Sequence, residues 1–305
     1  MPFVTAFYRA LGTGMVISVD SPIDDKVRSA MESLIEDYEH VLSRFRNDSL
    51  IAAIGKAEHG GSFDFPDWCA PLFDLYDALF SATSGAIDPC VGEDLIRLGY
   101  DASLSFTVTQ DAPEHLGALR GRAVWGRDVT RHGTTLVTHE PVQLDFGACG
   151  KGYLVDLLGR MLQSSQFVID AGGDLLIHAE QPISVALEDP EDQSHAIGIA
   201  HIANGALCAS APSRRHWNVA VNERTQIAIH HLLNAIDGLP AQQTEASWAY
   251  VPANATLNLA RDYPTAVADG LATALFVSDV AQLQRTFDFT YATLDESRQI
   301  AVSRN

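Results

Sequence analysis

Strand-like and helix-like hydrophobic periods both run through this 305-residue chain, but they do not alternate, and this excludes a regular βα architecture. Residues 13–20 (Thr-Gly-Met-Val-Ile-Ser-Val-Asp) alternate like a half-buried strand. From Ser21-Pro22 the period lengthens: Val27, Met31, Leu34, Ile35, Tyr38, Val41 and Leu42 share one helix face, to about residue 42. A polar turn at Arg46-Asn47-Asp48-Ser49 and a short helix to Gly55 follow. Beyond Gly60, Gly61 and Pro66, the spacing of Leu72, Leu75, Tyr76, Leu79 and Phe80 predicts a second helix that stops at Ser84-Gly85. Residues 101–143 read as short strands and turns, and another strand ends near Leu144-Asp145. Residues 147–152 read as a glycine-dense turn entering a helix whose apolar face is Leu154, Leu157, Leu158, Met161 and Leu162. Strands bracket Gly172-Gly173-Asp174 and recur around 183–187, 197–202, 217–221 and 226–231. A helix over about 265–277 and a hairpin over about 287–302 complete the pattern. With no repeat, low-complexity tract or linker, the order predicts one α+β domain over residues 1–305.

Charge narrows the partners. Twenty Lys and Arg against 39 Asp and Glu leave a net charge of −19, a field that repels nucleic acid and anionic membrane. A phosphorylated ligand would be repelled too, unless a lysine, a metal ion or a helix N-terminus reverses the field locally. The four cysteines (Cys69, Cys90, Cys149, Cys208) lie far apart with no C-x-x-C pair, so free thiols are expected rather than a zinc site or disulfides. Met1-Pro2-Phe3-Val4 carries no basic and apolar leader, and no apolar run approaches the roughly 20 residues that span a bilayer. The expectation is a cytoplasmic protein.

Several segments could carry chemistry. In Asp145-Phe146-Gly147-Ala148-Cys149-Gly150-Lys151-Gly152-Tyr153, backbone N–H groups at a helix start could face an anion, with Lys151 adding positive charge. It is not a Walker A loop, since Gly152 stands where Ser or Thr is required. A tight turn with a solvated lysine would give the same composition. In Ala268-Asp269-Gly270-Leu271-Ala272-Thr273, Asp269 and Thr273 are four apart, so their oxygens share a helix face and suit Mg²⁺; a capping Asp with a back-bonded Thr would look alike. His230 and His231 on a strand would point to opposite faces, so at most one enters a given site, where it could act as acid or base.

Together with Leu11-Gly12-Thr13, Ser43-Arg44-Phe45-Arg46-Asn47-Asp48-Ser49, the run from Ser84 to Gly92 and Gly172-Gly173-Asp174, these segments resemble the ApbE family of FAD:protein FMN transferases in their order along residues 11–277. The K-G-Y-x-x-D stretch from Lys151 to Asp156 and the A-D-x-x-A-T stretch are the most specific parts. The resemblance implies an enzyme that binds FAD and Mg²⁺, cleaves the FAD diphosphate, attaches FMN to a Thr or Ser hydroxyl of a partner flavoprotein and releases AMP. It places Ala148 (through its carbonyl), Asp269 and Thr273 on the metal. Leu11, Phe45, Ala86, Ile87, Asp88, Asp145, Lys151 and Leu233 would lie along the FAD, with His231, Lys151 and Asp269 in catalytic roles. The family's H-x-x-D-P-x-T-G appears here as His231 followed by Asn234, Ala235, Asp237 and Gly238, its usual Asn after the arginine–serine motif as Gly55, and its S-G pair as Ser210-Ala211. A non-catalytic FAD-binding protein of the same fold and an FAD pyrophosphatase are the alternatives those differences leave open.

Overall fold

The computed structural model describes residues 1–222 and 225–303; positions 223, 224, 304 and 305 of the expected domain lie outside the described residues. The chain opens with a hairpin, β1 (Phe3–Ala10) and β2 (Thr13–Val19), whose alternation buries Met15, Ile17 and Val19. Asp24 caps α1 (Asp25–Leu42) by accepting from Lys26 N at 2.7 Å, and Met31, Ile35, Tyr38 and Leu42 form its buried stripe. Ser49 caps α2 (Leu50–Gly55), accepting from Ala52 N at 3.1 Å. Next come β3 (Gly61–Asp64), α3 (Ala70–Ala82), α4 (Gly92–Arg97), α5 (Ala112–His115), β4 (Val129–His132) and β5 (Thr135–Thr138). The three strands among them form a small sheet in the order β3-β5-β4.

The second half supplies α6 (Gly147–Gly159), β6 (Phe167–Asp170), β7 (Asp174–Glu188) and β8 (Ala196–Ser210). The hairpin of β9 (His216–Asn222) and β10 (Thr225–His230) and the two-residue strands β11 (Leu233–Asn234) and β12 (Leu239–Pro240) follow. The chain continues through β13 (Thr244–Pro252), α7 (Asn258–Asp262), α8 (Pro264–Ala274), α9 (Val280–Leu283), β14 (Thr290–Asp295) and β15 (Ile300–Val302). An antiparallel sheet runs β1-β2-β6-β7-β8-β13-β14-β15. Residues of α1, α3, α6 and α8 join one sheet face in the main core, to which Ile169, Ala206, Cys208, Ala249 and Val251 contribute. The alternate residues Leu207 and Trp248 point to the other face and pack with Ile177, Ile202 and Leu294. The α+β class is as expected.

Three local expectations are corrected. Residues 144–145 are not a strand. The strands near 183–187 and 197–202 are parts of the 15-residue β7 and β8, which pair with each other. The glycines of 147–152 do not form a turn before the helix; α6 begins at Gly147 and contains them. Glycine is a poor helix former, but a tertiary contact requires it here. A Cβ on Gly152 would stand 2.3 Å from Thr265 O, so α6 and α8 meet backbone to backbone at that point.

Candidate active site

That contact assembles the polar centre. One turn beyond Gly152, the buried Asp156 carboxylate accepts from Thr265 N at 3.1 Å and Ala266 N at 2.8 Å, satisfying N–H groups of the first turn of α8. Burial still pushes the Asp156 carboxyl up to about 7. One residue before Gly152, Lys151 Nζ reaches Asp269 Oδ1 and Oδ2 at 3.0 and 3.2 Å and Asp174 Oδ2 at 2.8 Å. Gly152 N–H donates to Asp269 Oδ2 at 3.0 Å. Burial opposes the ammonium charge, but Asp174 and Asp269 outweigh it, and Lys151 titrates well above its ordinary value. Burial and the neighbouring Asp174 raise the Asp269 carboxyl. Two buried carboxyl groups therefore share one ammonium, and the cluster carries no net positive charge. Lys151 does not by itself reverse the acid field.

Lys151 and Asp269 of this cluster line a cleft of about 800 Å³. Leu11, Phe45, Ala86, Ile87, Asp88, Asp145, Ala148, Lys151, His231, Leu233, Asp269 and Thr273 all line it, so residues separated by up to 262 positions come together. Leu11 and Gly12 turn the β1–β2 hairpin with φ of 53° and 70°, and Leu11 N donates to Glu39 Oε1 at 2.8 Å. Asp145 accepts from Gly147 N at 2.6 Å and from Arg44 Nε. Arg44 also stacks over Phe45 and Tyr100, at 4.2 and 4.7 Å from the ring centres. Asp88 contributes wall only: its buried carboxylate accepts from Cys90 N at 2.8 Å and faces Arg122.

His230 and His231 do diverge. His230 Nε2 lies 2.7 Å from Ala241 O, while His231, just past β10, lines the cleft. His231 N and Nδ1 lie 3.3 and 3.2 Å from Arg215 O. With Nδ1–H donating to that carbonyl, Nε2 keeps its lone pair. The ring is half-buried but densely surrounded, and desolvation pushes its pKa down to about 4. It is a neutral acceptor at neutral pH.

The model of the ApbE family matches residues 11–293. The chain belongs to the ApbE family. An FAD:protein FMN transferase of Klebsiella pneumoniae (strain 342) is 23% identical over 274 residues, covering 86% of this chain and 74% of the relative. Another from Treponema pallidum (strain Nichols) is 27% identical over 286 residues, covering 83% and 72%. The fold is similar to that of the ApbE protein of Thermotoga maritima (TM-score 0.79, 20% identity, 99% of this chain and 97% of that one). It is also similar to that of the flavin transferase ApbE of Vibrio cholerae (TM-score 0.77, 17% identity, 99% and 96%). This ApbE family member is, like those curated relatives, a transferase.

Its differences from the family pattern are accommodated locally. Asn234 Oδ1 accepts from Ile236 N at 3.0 Å, a turn bond open to either Asn or Asp. Ala235 N donates to Ala86 O at 3.1 Å, a bond that a proline could not make. Arg122 Nη2 donates to Ala235 O at 2.7 Å, tying this segment to the buried carboxylates of Asp88 and Asp94.

The oxygens expected to hold a metal suit a hard cation. Asp269 supplies a carboxylate, and Thr273 Oγ1 stands 3.5 Å from Ser210 Oγ. Ala148, in the first turn of α6, lines the cleft with both Asp269 and Thr273. Among the described residues no cluster of three or more His, Cys, Asp or Glu is arranged to hold a metal. The set expected here has one carboxylate and two neutral oxygens, a composition that suits Mg²⁺ completed by substrate oxygens.

Glu39, Arg44, Arg122, Asp174, Ser210 and Arg215 were not assigned roles from sequence. Asp174 was visible beside Gly172-Gly173, but its contact with Lys151 depends on how β7 faces α6. Arg122 lay in a stretch without motif content, and Arg215 in a segment with no periodicity of its own.

Proposed function

We propose that this protein is a Mg²⁺-dependent FAD:protein FMN transferase, cleaving FAD and joining FMN through a phosphoester to a Thr or Ser hydroxyl of a partner flavoprotein, with AMP released. The observation that carries this is the convergence of the family's flavin and metal positions on one cleft, with Lys151 and Asp269 in direct contact in its lining. The curated relatives named for this reaction support it.

Mg²⁺ would be held by Asp269, Thr273 and the Ala148 carbonyl, and when bound it supplies charge neutralisation for the diphosphate oxygens. Lys151 holds Asp269 and Asp174 in fixed orientation. Phe45, backed by Arg44, and the Ala86-Ile87 turn provide apolar wall for the flavin. His231 Nε2 accepts the proton of the acceptor hydroxyl as its oxygen attacks the FMN phosphorus. The bond from that phosphorus to the bridging oxygen breaks, and the oxygen leaves with AMP.

Incubation with FAD, Mg²⁺ and a candidate flavoprotein acceptor tests this through AMP release and acceptor mass. Transfer gives AMP and an acceptor heavier by one FMN unit. Hydrolysis gives AMP and free FMN, and mere binding gives neither. An Asp269→Ala variant with full Mg²⁺-dependent activity would refute the metal assignment.

A further inference from the structure

We propose that Arg215 is the cation by which this cleft grips the diphosphate of its substrate, an inference that rests on the FAD reading above. Among the described residues five basic side chains line the cleft: Arg44, Arg46, Lys151, Arg214 and Arg215. Four are committed to carboxylates. Arg44 is sequestered on Asp145, its side chain only 7% exposed. Arg46 binds Glu36 and Asp48, each at 3.0 Å, and Arg214 binds Glu188 at 2.9 Å. Lys151 is divided between Asp174 and Asp269. Among the described residues the guanidinium of Arg215 alone in this group has no carboxylate partner.

Its position fits the task. Arg215 is exposed, and its Nη2 lies 3.9 Å from where a Cβ on Gly12 would stand, so the side chain extends toward the hairpin turn at the cleft wall. Its own carbonyl meets His231 N and Nδ1 at 3.3 and 3.2 Å, so the cation and the imidazole share one anchor. Without Arg215 the other basic side chains of the lining, among the described residues, are all paired with carboxyl groups, on a protein of net charge −19. A diphosphate needs an uncommitted donor there, and a guanidinium offers two parallel N–H groups to one phosphate.

Wild type, Arg215→Gln and Arg215→Lys are titrated with FAD, ADP and riboflavin, followed by calorimetry and flavin fluorescence. Both variants keep the main-chain carbonyl that His231 uses. Arg215→Gln is expected to weaken FAD and ADP by about ten- to a hundredfold, leaving riboflavin, which has no phosphate, within about twofold. Arg215→Lys falls between, keeping the charge but not the fork. The salt dependence of FAD binding flattens in Arg215→Gln. Unchanged FAD and ADP affinity in Arg215→Gln overturns the proposal alone, as does an equal loss for riboflavin, which marks a structural role. A wild type that binds neither FAD nor ADP overturns the flavin reading and this proposal together.

Discussion

Gly152→Ala tests whether the close approach of α6 and α8 builds the centre. The new Cβ would start 2.3 Å from Thr265 O and 2.9 Å from Ala266 N, whereas real Cβ contacts essentially never fall below 3.0 Å. The backbones must separate by about 0.7 Å just to reach that limit. The bonds crossing the gap, Lys151 Nζ to Asp269 and Gly152 N to Asp269 Oδ2, begin at 3.0 Å and would stretch beyond a useful hydrogen bond. Overpacking of this kind costs about 1–3 kcal/mol, against about 1 kcal/mol gained from alanine's helix propensity. Gly150→Ala is the control: it lies in the same helix and its Cβ would meet only Tyr38 Oη at 3.4 Å. Urea denaturation should place Gly152→Ala about 2 kcal/mol below Gly150→Ala, and its turnover of FAD should fall about a hundredfold, as misplacement near 1 Å can produce. Equal stability and turnover in the two variants would refute the argument.

Other outcomes follow from single groups. His231 titrates near 4 in the folded chain against about 6.5 unfolded, so the unfolded chain binds the extra proton and stability rises with pH between those values. His231→Gln should remove that slope in denaturation curves taken across it, and should remove an activity limb near pH 4. Asp156→Ala leaves Thr265 N and Ala266 N without acceptors and should cost about 1–3 kcal/mol, read as a lower denaturation midpoint. All four cysteines are buried with thiol pKa raised by burial, so an aromatic disulfide reagent should label none in the native protein and four after unfolding. Rapid labelling of one native thiol would contradict the packing described.

Much of the site was legible as residues and little of it as geometry. The K-G-Y-x-x-D stretch stands out in the sequence, yet its spacing makes sense only against α8: Lys151 holds Asp269, Gly152 admits Thr265 and Asp156 caps the helix. Those partners lie more than a hundred residues away, beyond the reach of local periodicity. For the same reason the glycines of α6 read as a turn, because propensity records their cost and not the contact that requires them. Strands β1 and β13 were missed. In β13, Ala246 and Trp248 face one core and Ala249 and Val251 the other, so burial on both sides weakens the alternation that marks a strand. The charge of −19 posed the question of how an anion is admitted, but whether Lys151 or Arg215 is free depends on which carboxylates fold beside each.

The helix contact also has a consequence during synthesis. Asp174 and Lys151 emerge well before α8, and at roughly 5–20 residues per second the 95 residues between Asp174 and Asp269 take several seconds to follow. During that interval Gly152 has no Thr265 against it, Asp156 has no helix end to cap, and the apolar face of α6 lacks its cover. The nascent chain therefore passes through a state with an exposed hydrophobic helix and no complete cleft. A ribosome stalled before α8 emerges should display a chain that is sensitive to protease at α6 and unable to retain nucleotide.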